Sequence, residues 1–149
     1  AEEARGEVED LCEQAIRKEF VTALGRDESD TGTVEQFREL LYLHNPDLTT
    51  LLCSLTDNTA PPSGFEAFVH DWKTQDPDIE AMQAVNPLFI PRNHLVEAAL
   101  ADAVEGNLEK FHELLAAVTN PFDPTAGPDE LRLPSEEGFE EEYMTFCGT

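Results

Sequence analysis

The chain has 149 residues, enough for one domain that buries roughly two thirds of the surface exposed by its unfolded form. Nine Lys and Arg against 32 Asp and Glu give a formal charge of −23, which opposes sequence-independent binding to phosphate backbones or anionic lipid, so neither nucleic acid nor membrane is expected as a partner. No apolar run approaches the ~20 residues of a membrane span, and the acidic start AEEARGEVED lacks the regions of a signal peptide; a soluble intracellular chain is expected, cytoplasmic, or mitochondrial for a eukaryotic source.

The apolar positions from Val8 to Leu24, including Leu11, Cys12, Ala15, Ile16 and Phe20, recur at spacings of three and four and predict one amphipathic helix, with Cys12 in its core face and Gly25 as its C-terminal cap. Thr33 with Gln36 makes a capping-box spacing for a second helix bearing Val34, Phe37, Leu40, Leu41 and His44, which Asn45-Pro46 ends. Asp47 can cap a short helix carrying Leu48, Leu51, Leu52, Cys53 and Leu55, after which TDNTAPPSG reads as a loop. Ser63 and Glu66 repeat the box spacing before an aromatic stripe, Phe65, Phe68 and Trp72, which reads as core. Asp76-Pro77 suits an N-cap and first helical position for a helix with Ile79, Met82 and Val85.

The next stretch, VNPLFIPRNHLVEAAL, sets two prolines before Arg92, Asn93 and His94. Proline fixes φ and pushes its preceding residue out of the helical region, so Asn86 and Ile90 are expected to be extended and the segment to form a rigid corner. Asn93 can then cap a helix bearing Leu95, Val96, Ala99, Leu100, Ala103 and Val104, closed by Gly106. Asn107 opens another, with Leu108, Phe111, Leu114, Leu115 and Val118 inward, so the pair makes a helical hairpin. From Pro121 onward the composition shifts to Pro, Gly and acids, which predicts an extended or partly disordered arm that Phe139, Tyr143, Met144 and Phe146 could dock. The whole predicts an all-α bundle of six or seven short helices over residues 1–120, followed by an acidic arm over 121–149 that carries a cysteine near its end.

Motifs for autonomous chemistry are missing. FHELL begins like the zinc motif HExxH, but position 116 is Ala, so the second imidazole is lost and no metal is expected there. No GxSxG elbow and no GxxxxGK[ST] or GxGxxG loop occurs, and the abundance of carboxylates leaves no acid/base pair singled out, so no catalytic residue is assigned. Cys12, Cys53 and Cys147 are odd in number and far apart, which excludes an internal disulfide framework and a CxxC pair; Cys147 stays open as a reactive thiol. Arg92, between a rigid turn and a helix start, offers five donors for carbonyls, a carboxylate or a phosphate.

Three blocks, AVNPLFIPRNHLVEAAL, EGNLEKFHELLAAVTNPFD and the ending YMTFCGT, closely resemble the carboxy-terminal part of the selenoprotein O family, also called the YdiU or UPF0061 family. FEAFVHDWKTQ and VEQFREL look like weaker counterparts of preceding helices, so the likeness covers the chain from Phe20 onward. The resemblance implies a part of a kinase-like protein adenylyltransferase, which moves AMP from ATP to protein hydroxyls with magnesium. The nucleotide- and metal-binding residues of that fold have no counterpart here. The segment itself is therefore expected to be inactive and free of cofactor, a fragment or truncated relative that partners the kinase-like catalytic domain, while the whole enzyme meets the protein substrates.

The family resemblance also implies a regulatory redox role for Cys147, through a disulfide to the catalytic part. Arg92, Asn93 and His94 are then expected to dock the helical region on that part. A different reading is a free-standing acidic helical module that binds a basic protein partner.

Overall fold

The first helix, α1 (Glu2–Ala23), is 22 residues long, or roughly 33 Å, and only its carboxy-terminal half enters a core. The computed structural model describes residues 2–136, 138, 139 and 143. Among them are seven α-helices, one 3-10 helix and no strand, so the chain is all-α. It divides into two units, Ala1–Pro87 and Leu88–Thr149, with the division inside the proline corner.

In the first unit α1 is followed by α2 (Thr31–His44), α3 (Leu48–Thr56), α4 (Glu66–Lys73) and α5 (Ile79–Val85). Phe37 of α2 is the centre of the core, fully buried, with its ring 5.6 Å from Phe20, 6.1 Å from Phe65 and 5.4 Å from Phe68. Leu24, Leu51, Leu55, Trp72 and Met82 close around it. The aromatic stripe of α4 is thus core, because its period of three to four puts Phe68 and Trp72 on the face turned inward.

The end of α1 is built by backbone geometry that only glycine adopts without strain. Gly25 sits at φ +60, the Gly25 N–H donates to Thr22 O and the Arg26 N–H to Val21 O, a pair of bonds that satisfies the last carbonyls of the helix. Two long-range donors finish the job: Trp72 Nε1 to Leu24 O at 2.9 Å and Asn86 Nδ2 to Ala23 O at 2.8 Å.

In this first unit three N-caps differ from the sequence expectation. Thr33 and Gln36 lie inside α2, and Asp30 is the cap, accepting from the Thr33 N–H at 3.1 Å. Asp76 takes a left-handed φ of 51, and Asp78 caps α5 instead by accepting from the Ala81 N–H. Glu66 reaches the Gly64 N–H, but the residue preceding α4 is Phe65, and no side chain caps that helix. Asp47 caps α3 as expected, accepting from the Thr50 N–H at 2.7 Å.

Cys12 is also corrected. It is exposed rather than core, as are Val8, Leu11 and Ile16, and Leu11 is 65% exposed where Leu24 is 0%. The apolar stripe of α1 is real, but the ion pairs Arg38–Glu13 and Arg17–Glu35 tie α1 to α2 only from Glu13 onward.

In the second unit α6 (Asn93–Val104) and α7 (Glu109–Thr119) form the expected hairpin. Gly106 at φ +89 closes α6, with the Gly106 N–H on Ala103 O and the Asn107 N–H on Asp102 O, and Asn107 Oδ1 in turn accepts from the Glu109 N–H. Small Ala99 and Ala117 are buried, which lets the two helices approach closely. From Pro121 the chain turns rather than extends: Asp123 accepts from both the N–H and the hydroxyl of Thr125, which hold its carboxyl below the usual range, and a 3-10 helix spans Asp129–Arg132. No helix among the described residues is long and apolar enough to cross a membrane.

Candidate functional site

The proline corner is held from both sides. Asn86 is extended as expected, at φ −94 and ψ 107. Past the second proline, Arg92 is extended at φ −66 and ψ 138, its N–H donates to Ile90 O at 2.8 Å and its carbonyl accepts from Leu95 and Val96. Arg92 rather than Asn93 is therefore the residue that precedes α6, and Asn93 is its first helical residue; no side chain caps the helix. The Pro121 carbonyl accepts from Leu88 at 2.7 Å and from Phe89 at 3.3 Å, so the start of the carboxy-terminal segment fastens the start of the corner.

The three residues of the corner differ in exposure. Arg92 is buried, with 8% of its surface accessible, while Asn93 and His94 are half-buried. His94 has its ring edge-on to Phe139, with centroids 5.9 Å apart, and its buried Nδ1 has no hydrogen-bond partner among the described residues. One turn on, Glu97 Oε1 accepts from the Tyr143 hydroxyl at 3.1 Å, and Phe139 and Tyr143 stack on each other at 5.3 Å. Two of the four residues expected to dock the arm thus meet the first turns of α6. Met144, Phe146 and Cys147 lie outside the described residues. Nothing in local spacing marks His94 and Glu97 as mooring points, because they lie some forty-five positions before the residues they meet.

Two grooves are lined by described residues. One, wide and open, about 690 Å³, is lined by Phe20, Glu35, Arg38, Glu39, Leu41, Tyr42 and Leu43. Its Arg38 guanidinium is already engaged, at 2.9 Å by Glu13 and at 3.6 Å by Glu35. The other, about 160 Å³, lies along the hairpin between Pro91, Val96, Ala99 and Leu100 on one side and Phe111, Leu114, Leu115 and Val118 on the other, and every lining side chain is apolar. His112 is exposed on α7 beside Phe111, and no group of three or more His, Cys, Asp or Glu among the described residues is arranged to hold a metal ion.

No family model matches the chain, and no solved structure matches it. Curated relatives do. A protein nucleotidyltransferase YdiU of Corynebacterium glutamicum (strain R) is 92% identical over all 149 residues. The chain belongs to the YdiU family. Further members carrying the same name are 45% identical over 146 residues in Corynebacterium efficiens and 36% identical over 137 residues in Cereibacter sphaeroides (strain KD131), matching 94% and 84% of this chain. The chain spans about a third of the length of these relatives, 31%, 30% and 28% respectively. Neither of these two grooves suits the magnesium and ATP that the family resemblance implies for the complete enzyme. In the wider groove the one guanidinium is neutralised by glutamates, and the hairpin groove offers no polar atom to phosphate or metal.

Proposed function

We propose that this chain is a non-catalytic helical portion of a YdiU-type protein adenylyltransferase, which supports a kinase-like catalytic portion that transfers AMP from ATP to protein hydroxyls. The observation that carries the reading is the 92% identity over the full chain to a protein named as a nucleotidyltransferase, of which these residues make up 31%. Nucleotidyl transfer depends on cations and metal positioned around the phosphates, and a segment of charge −23 whose groove arginine is already paired is poorly suited to supply them. Binding of ATP and magnesium then falls to the remainder of the enzyme.

On this reading the corner of Arg92, Asn93 and His94 is the docking element, given a fixed shape by Pro87 and Pro91. Cys147, four residues past Tyr143, acts as a redox-sensitive thiol that forms a disulfide with a cysteine of the catalytic portion. The test is incubation with ATP, magnesium and a protein acceptor. The full-length Corynebacterium glutamicum relative incorporates AMP and the 149-residue chain does not; incorporation by the 149-residue chain above background overturns the reading.

A further inference from the structure

The hairpin of α6 and α7 shows an apolar seam on the outside. Leu100 and Val104 follow Val96 at intervals of four along α6, and Leu115 follows Phe111 in the same way along α7, so each set forms a row on one face of its helix. Val96 and Leu100 of the first row and Phe111 and Leu115 of the second line the 160 Å³ groove, and Val104 continues the α6 row one turn beyond it; Val104 is 84% exposed, Leu100 48% and Leu115 45%. A contiguous apolar patch of this kind is a contact surface in a soluble protein. The groove is of the size that admits one benzene-sized group, since cavities of roughly 150 Å³ do so.

We infer that this seam is the seat of an apolar element belonging to the part of the YdiU-family protein that lies outside these 149 residues, one bulky side chain filling the groove and basic residues meeting its rim. This deepens the reading proposed above and rests on it. Three observations select that occupant. The greater part of each relative's length lies outside the matched residues, so a covalently supplied partner exists in the same molecule at high effective concentration. The groove starts at Pro91, so the seam begins at the residue that directly precedes Arg92, Asn93 and His94. A second copy is a poor occupant, because each carries −23, and the hairpin itself bears Glu97, Asp102, Glu105, Glu109 and Glu113 against Lys110 alone, which is paired with Asp102 at 3.1 Å.

The test uses the full-length Corynebacterium glutamicum relative, with cysteine introduced at the residue aligned with Val104 (Val104→Cys) and alkylation read peptide by peptide by mass spectrometry. A position as exposed as Val104 tolerates the change, and in an uncovered hairpin it reacts at nearly the rate of free cysteine. The expected result is alkylation at least about tenfold slower than free cysteine, independent of protein concentration. A rate near that of free cysteine overturns the inference, and so does protection that appears only as concentration rises, which would make a second copy the cover. Failure here is separable from failure of the functional reading: a relative that transfers AMP with an unprotected Val104 position sinks the seam alone, and a protected one that transfers none sinks the adenylyltransferase reading alone.

Discussion

Asn86 donates from Nδ2 to the carbonyl of Ala23 at 2.8 Å, so the residue that ends α5 at the proline corner also terminates α1, 63 positions earlier. Trp72 does the same for Leu24. Both side chains are buried, and each carbonyl is among those that a helix end leaves without an internal partner. Replacing Asn86 by Ala is expected to destabilise the chain by about 1–3 kcal/mol, and Trp72→Phe, which keeps most of the apolar burial, by about the same. Urea denaturation of both variants checks this; unchanged midpoints would mean that water serves these carbonyls equally well.

Gly25 and Gly106 both occupy left-handed backbone, at φ +60 and φ +89, yet their surroundings differ. A Cβ on Gly25 would stand 2.6 Å from the Asp78 carbonyl oxygen and 2.8 Å from its nitrogen, whereas a Cβ on Gly106 meets nothing within 4 Å. Gly106→Ala is therefore expected to cost only the conformational penalty, about 1–2 kcal/mol, and Gly25→Ala distinctly more, because the Asp78 backbone bonded to Gly25 O must move. Thermal melts of the two variants order them; equal losses would refute the steric part.

Much of this architecture could be read from the sequence because it is local. Gly25, Asn45, Asp47 and Gly106 punctuate helices through their own backbone preferences or side-chain reach, and the period of three to four in Phe65, Phe68 and Trp72 named a core face correctly. Where two capping groups compete, spacing alone does not decide. Asp30 prevails over Thr33 because its carboxylate also meets Arg26, and Asp78 over Asp76 because the latter is used in a left-handed turn. Cys12 shows a different limit: periodicity says which side chains share a face, not whether another element arrives to cover it. The mooring of Phe139 on His94 and the apolar seam of the hairpin are tertiary facts of the same kind.

Acid should weaken the first unit through Asp30. Burial acts to raise its pKa, but the Thr33 N–H and the Arg26 guanidinium outweigh that and hold the carboxyl below its ordinary value. A group whose folded pKa is depressed contributes stability above the unfolded carboxylate value of ~3.9, and the contribution fades as pH falls through the lower folded value. Asp30→Asn keeps an N-cap acceptor but removes the charge paired with Arg26 at 2.7 Å. The variant is expected to be about 1 kcal/mol less stable near neutrality and to converge with the parent in acid. Parallel denaturation curves across pH measure the difference; a gap that stays constant into acid would assign it to something other than this ionisation.

The arm should be released by one ring more than by one hydroxyl. Phe139 touches both His94 and Tyr143, whereas the Tyr143 hydroxyl makes an exposed bond to Glu97. Phe139→Ala removes the centre of that stack and is expected to make the backbone at position 139 more open to protease, while Tyr143→Phe changes cleavage there little, an exposed hydrogen bond being worth about 1 kcal/mol or less. Limited proteolysis of the two variants at equal protease decides it. Equal cleavage of parent and Phe139→Ala would mean that the ring contact does not hold the arm.

Arg92 separates a docking role from an internal one. The side chain is buried at the corner, so Arg92→Ala removes a desolvated guanidinium from the packing of this chain whatever else it does. If the corner serves only its own unit, the substitution lowers the melting temperature of the 149-residue chain and of the full-length Corynebacterium glutamicum relative together, and AMP transfer by the relative falls only to the extent that folded protein is lost. If the corner also seats the catalytic portion, AMP transfer per folded molecule falls as well, by about tenfold for a contact worth 1.4 kcal/mol. Normalising activity to the folded fraction at each temperature isolates the second effect, and normalised activity equal to that of the parent would remove Arg92 from the docking surface.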